Sequence, residues 1–161
     1  MKQQSFINRF LLVKPNIIFL IGFLVILIVG ILGEVFNWLK IPFSPYSNII
    51  GGVIAACGWL LHLYCHKIHK QAHNKSEQID EIVTTGIFSK IRHPMYLGMI
   101  LGFLGVSIAW GVIWMLIPAV LFSFLAVLIA IKEEEYLLHK FGRRYEEYMI
   151  KVPWRFIKKI F

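Results

Sequence analysis

HPMYLGMILGFLGVSIAWGVIWMLIPAVLFSFLAVLIAI, residues 93–131, contains no Asp, Glu, Lys or Arg over 39 positions. As a single helix it would extend about 58 Å at 1.5 Å per residue, nearly twice the roughly 30 Å hydrocarbon core of a bilayer. The segment is therefore expected to fold back once. Ala109-Trp110-Gly111 is the natural turn, leaving a short arm over 94–110 and a longer one over 112–131, with Pro118 a candidate kink in the second.

Two more charge-free runs precede it, 15–33 and 41–66, giving a span that ends near Glu34 and another over about 47–65. The whole chain of 161 residues is 58% hydrophobic and 16% charged, well under the roughly 25% charged of a soluble domain. The reading is an all-α polytopic membrane protein, one domain over 1–161. It has about four transmembrane helices, the last two a hairpin, followed by a C-terminal amphipathic helix. The first apolar stretch is longer than the 7–15 residues of a signal-peptide core and no small-residue cleavage site follows, so it is expected to remain as an anchor.

Seventeen Lys and Arg against nine Asp and Glu raise the possibility of a nucleic-acid partner, and their placement argues against one. Three precede the first span, one (Lys40) lies in the first loop, five fall between Lys67 and Arg92, none is in the hairpin turn, and eight follow from Lys132. By the positive-inside bias both termini and the central loop are expected on the cytoplasmic side, together with any active site at that end of the bundle.

Small residues mark where helices approach: Gly51, Ala55 and Gly58 on the second span, Gly98, Gly102 and Gly105 on the third. Cys57 and Cys65 share one helix about 12 Å apart along its axis, too far for a disulfide.

Polar residues gather in three places. Arg92-His93 precede Pro94, which suits the first position of a helix because its missing N–H is no loss there. The positive end of that helix, with its free backbone donors, is a seat for a carboxylate or phosphate, or else for an interfacial anchor with Tyr96 in the aromatic belt. Lys132-Glu133-Glu134-Glu135 follow the last span. On a helix continuing from it, Glu134, Leu137, Phe141, Tyr145 and Tyr148 share a face while Glu133 and Glu135 point elsewhere, and cations including Lys140, Arg144, Lys151 and Arg155 are expected to meet lipid phosphates. His62, His66, His69 and His73, spaced 4, 3 and 4, fall on one helical face. That is metal-ligand spacing, but His93 and His139 are the only others to complete a site, so a polar helix end is the simpler reading and no metal is assigned.

The stretch V-T-T-G-I-F-S-K-I-R-H-P-M-Y-L-G over 83–98, followed by E-E-x-x-L-x-x-x-F-G-x-x-Y-x-x-Y over 133–148, resembles the isoprenylcysteine carboxyl methyltransferase family. The wider group includes phospholipid N-methyltransferases. The resemblance covers a core over 82–153. It implies an S-adenosyl-L-methionine-dependent methyltransferase that holds its cofactor at the ends of the last helices, capped by the C-terminal segment, without a Rossmann fold. By position it implies cofactor contacts from His93, Pro94, Tyr96, Glu133, Glu134 and Tyr145, and catalytic roles for Arg92, His93 and Glu133. It also implies an acceptor that is a membrane lipid or a prenylated or otherwise hydrophobic small molecule.

One position departs from that pattern. Four residues before the first Glu of the pair, where the family carries an Arg for the substrate carboxylate, this chain has Ile129. Transfer to a carboxylate oxygen is the favoured expectation, with Lys132 or Arg92 standing in for the Arg. Transfer to nitrogen or sulfur of a neutral acceptor is the other, and an amine would need a base such as His93 or Glu133. Two alternative functions are an NADPH-dependent reductase on the same scaffold and a non-enzymatic metal-handling protein built on the histidine stripe.

Overall fold

The structure, a computed structural model, describes residues 15–69 and 79–159. Its helices are α1 (Pro15–Val35), α2 (Tyr46–Ile68), α3 (Pro94–Trp110), α4 (Leu116–Phe141) and α5 (Arg143–Lys151), with short 3₁₀ turns at Gly86–Ser89 and Ile113–Met115. No strand occurs among the described residues. By length and composition α1, α2 and α4 suffice to cross a membrane, and α3 is a shorter apolar helix of 17 residues. That length is at the lower limit for a span. The chain is an all-α polytopic membrane protein, as its charge-free runs require.

The turn falls where glycine allows it. Gly111 takes φ +87, the left-handed conformation that closes α3, and its N–H returns to Ser107 O. Across this end of the bundle Ile41 N–H bonds to Gly111 O and Ile113 N–H to Leu39 O, so the two short loops lace together. Pro118 lies near the start of α4. It occupies the third position of that helix, where its N–H would have lacked a partner in any case.

The α2–α3 pair is the most intimate contact. A Cβ on Gly105 would lie 2.3 Å from the Ala55 amide nitrogen, and one on Gly58 would lie 2.7 Å from both Gly102 N and Gly98 O. Side chains are excluded so that backbone meets backbone, which is how apolar helices gain dispersion contacts in lipid. Gly102 contributes only its backbone, since nothing lies within 4 Å of where its own Cβ would be. The main core joins Ile18 and Ile26 of α1 with Met99 and Phe103 of α3 and Ala119, Ala126, Ile129 and Ala130 of α4. Outward residues such as Leu20, Leu24, Val53, Leu60, Leu121 and Phe124 are exposed and form the lipid face.

α4 runs ten residues past Ile131, and Gly142, at φ +54, then turns the chain into α5. The stripe expected on one continuous helix is thus split over two. Its members still converge: Leu137, Tyr145 and Tyr148 form a second core with Ile79 and Val152 over the charged end of the bundle.

Candidate active site

At that end, the approach to α3, the last turns of α4, α5 and the tail after it surround a cleft. Pro94 at N1 starts α3 and holds Arg92 and His93 in the bend before it, both buried. Two amides just before the helix are engaged by the tail. Arg92 N–H bonds to Trp154 O at 2.9 Å and His93 N–H to Arg155 O at 2.8 Å, so the tail after α5 lies against the entry to α3.

The two glutamates have different surroundings. Glu134 is 4% exposed and is held by three cationic or imidazole partners: Arg92 Nε at 2.7 Å and His93 Nε2 at 3.0 Å on Oε1, Arg155 Nε at 2.9 Å on Oε2. Arg92 also donates Nη1–H to Val152 O at 2.7 Å. Glu133 instead takes a hydrogen bond from Tyr96 O–H at 2.7 Å and lines the cleft. Glu134 is buried, as its helical face implies, yet Glu133, turned away from that face, is the one in the cleft.

His93, Tyr96, Glu133 and Tyr145 line the cleft together with Arg92, whereas Pro94 and Glu134 lie behind its wall. The His93 ring is pinned edge-on by Tyr96, centroids 5.7 Å apart, and flanked by Phe156 at 5.9 Å. Facing a carboxylate, His93 Nε2 carries its hydrogen and donates it to Glu134 Oε1. Tyr148 donates to Phe88 O at 2.7 Å, fixing α5 to the 3₁₀ turn. Burial, reinforced by Glu134 and Glu133, pushes the Tyr145 hydroxyl well above its usual value, and burial does the same for Tyr148 with Arg92 opposing. Both remain neutral hydrogen-bonding groups at physiological pH.

The remaining walls are His69 of the histidine stripe, Ile82, Val83, Phe88 and Met95 in and beside the motif segment, and Ile79 and Glu81, which no motif marks. The cavity is narrow, about 60 Å³. Arg155, grouped with the tail cations expected at lipid phosphates, is turned inward to Glu134; nothing in its local sequence separates it from Lys151 or Lys158.

The histidine stripe does not assemble. His62 stacks on Phe19 at 5.2 Å, His66 meets His62 edge-on, and His69 stands edge-on to Phe88. Among the described residues no group of three His, Cys, Asp or Glu is placed to hold a metal ion, and His73 lies outside them.

Ile129, in the position of the expected Arg, is 3% exposed and sealed in the main core beside Ala126, Ala130 and Tyr96.

Comparison with known proteins matches residues 47–144 to the family described as phospholipid methyltransferase. A protein-S-isoprenylcysteine O-methyltransferase of Schizosaccharomyces pombe is 40% identical over 74 residues, 45% of this chain and 31% of that protein. One of Xenopus laevis is 35% identical over 81 residues, 50% of this chain and 28% of the relative. A Delta(14)-sterol reductase of Mus musculus is 30% identical over 83 residues, covering 50% of this chain and 20% of the reductase. The matched segments thus span less than a third of the relatives' own lengths. No solved structure matches. With more than half of the chain under the family match, and with that match running from α2 across the hairpin to the Glu133-Glu134 pair and the start of α5, this membrane protein belongs to the phospholipid methyltransferase family.

Proposed function

We propose that the chain is an S-adenosyl-L-methionine-dependent methyltransferase that acts on a lipidic acceptor at the basic end of the bundle, the cytoplasmic side by the distribution of Lys and Arg. The observation that carries the reading is the cleft where Glu133, Tyr96 and His93 meet Tyr145, Phe88 and Leu137. Its donor set suits that cofactor. Glu133 offers a carboxylate to an ammonium or sulfonium, and the aromatic and aliphatic walls suit an adenine ring. When bound, the cofactor supplies an activated methyl group.

The chain's own residues bind, orient and exclude water. Arg92, His93 and Arg155 lock Glu134, and through it they hold the bend before α3 in one conformation, so that Tyr96 and His93 present fixed faces to the cleft. Displacement at a methyl carbon depends mainly on alignment, which rigid walls provide. A cavity of about 60 Å³ is smaller than the roughly 300–1,000 Å³ of small-molecule sites, so entry of the cofactor parts α5 or the 79–88 segment from the bundle end.

Ile129 inside the core favours an amine or other neutral nucleophile over a carboxylate. Of the stand-ins for the missing Arg, Arg92 is committed to Glu134 and Val152 O, and Lys132 pairs with Glu135 on the surface.

The test is thermal stability of the detergent-purified protein with S-adenosylhomocysteine and, separately, with NADPH. A ligand held by the folded state raises stability in proportion to the logarithm of its concentration over Kd. Stabilisation by S-adenosylhomocysteine alone is the expected result, and stabilisation by NADPH alone would move the chemistry to reduction.

A further inference from the structure

His69 belongs to the histidine stripe that the reading above leaves without a role. It caps α2, one residue beyond Ile68, and lines the cleft. Its Nδ1 is buried and has no hydrogen-bond partner. A polar atom left this way in a cleft wall is either a cost to the fold or a group awaiting a ligand.

We propose that His69 is the proton acceptor for a primary-amine lipid in this cleft, an inference that rests on the methyltransferase reading. An ammonium has no lone pair, so it must lose a proton before it can attack. The lipid ammonium passes one N–H proton to His69 Nδ1. The freed lone pair forms the N–CH3 bond as the S–CH3 bond of the sulfonium donor breaks, its electron pair remaining on sulfur. A methylammonium and a neutral thioether result, and His69 returns its proton to solvent at the mouth of the cleft.

Surroundings decide between His69 and the other imidazole of the cleft. His93 is already engaged, its Nε2 on the Glu134 carboxylate that it shares with Arg92 and Arg155. His69 has Glu81 nearby and sits at the negative end of the α2 dipole, so both support an imidazolium once formed. At rest, burial lowers its pKa and keeps the ring neutral, with Glu81 partly opposing that shift. The other titratable or charged groups around the cleft are Arg92 and His93 before α3, Tyr96 on α3, Glu133 on α4 and Tyr145 and Tyr148 on α5, with His66 on its own helix.

The experiment measures methyl transfer to phosphatidylethanolamine in mixed micelles as a function of pH, for the wild-type protein, His69→Gln and Glu81→Gln. S-adenosylhomocysteine stabilisation is read on each. His69→Gln is expected to lower kcat roughly 100-fold or more, the usual share of a general base, with stabilisation by S-adenosylhomocysteine unchanged and activity restored in part by added imidazole. Glu81→Gln removes a charge that raises the His69 pKa, so its acidic limb is expected at lower pH. That second variant decides the matter if His69→Gln does not fold.

Unchanged kcat and pH profile in His69→Gln overturn the inference, as does an unshifted limb in Glu81→Gln. So does a wild-type protein that S-adenosylhomocysteine stabilises yet that methylates no phosphatidylethanolamine. Failure of S-adenosylhomocysteine to stabilise the wild-type protein is a different outcome, since it overturns the methyltransferase reading itself.

Discussion

Arg92 and Glu134, 42 residues apart in sequence, meet at 2.7 Å with side chains 4% and 5% exposed, joining the bend before α3 to the end of α4. Because His93 and Arg155 converge on the same carboxylate, one residue ties three segments of chain together. A buried carboxylate with three partners is tolerable only as a complete set, since removing one member leaves unpaired charge in a poorly solvated place.

Glu134→Ala is therefore expected to lower stability by about 3–5 kcal/mol, the usual result of breaking a buried ion pair from one side. Arg155→Ala should cost less, because Arg155 is 30% exposed and water can replace part of its interaction. Thermal or denaturant unfolding in detergent ranks the two variants, and equal stability for Glu134→Ala and wild type would contradict the arrangement.

Glu133→Gln should behave in the opposite way. It keeps the fold, because the Tyr96 hydroxyl that bonds to it can still donate to an amide oxygen. Loss of the charge facing the ligand's ammonium is expected to weaken S-adenosylhomocysteine binding about 10- to 100-fold, in line with roughly 1.5–3 kcal/mol for a charge-assisted hydrogen bond. Calorimetric titration of the two glutamate variants separates binding from folding.

Gly105→Ala and Gly102→Ala form a matched pair one turn apart. The first drives a methyl into the Ala55 backbone and is expected to cost about 1–3 kcal/mol through separation of α2 from α3. The second meets nothing within 4 Å and should be near neutral. Unfolding measurements that reverse this order would mean the helices meet on another face.

Alkaline titration tests the second core. Tyr148 has its pKa raised chiefly by burial, so it favours the folded state while protonated. That contribution is fully present below the unfolded value near 10 and is lost as pH rises beyond it, through the higher folded value. Tyrosinate absorbance is expected to appear for Tyr148 only as the α5 end opens. Tyr148→Phe should remove part of the alkaline loss of stability while giving up about 1 kcal/mol at neutral pH with the bond to Phe88 O.

The helices were legible in the sequence because lipid permits so few alternatives. A charge-free run of known length must cross or fold back, and backbone groups in hydrocarbon must bond within their own helix, so 15–33, 41–66 and 93–131 dictated the spans. Of the Ala109-Trp110-Gly111 turn, Gly111 closes α3 while Ala109 and Trp110 stay helical, and the glycine faces of α2 and α3 followed from residue size alone. The break at Gly142 did not, because the 3.6-residue periodicity of the stripe reads through it.

What only tertiary structure decided is which charges are internal. Arg155 is one cation among several in a basic tail, and Glu133 and Glu134 are adjacent and chemically identical; periodicity places them on a helix but says nothing of what comes back to meet them. The tail after α5 folds under α3, and its carbonyls take the Arg92 and His93 amides while Arg155 takes Glu134. His69 acquires its setting likewise, from Glu81, Phe88 and Met95, which are distant along the chain. Burial and ion pairing are properties of neighbours brought together by folding, whereas span length and hydropathy are properties of the chain itself. For that reason membrane class, span count and turn were readable from residues in order, and the division of labour between two glutamates was not.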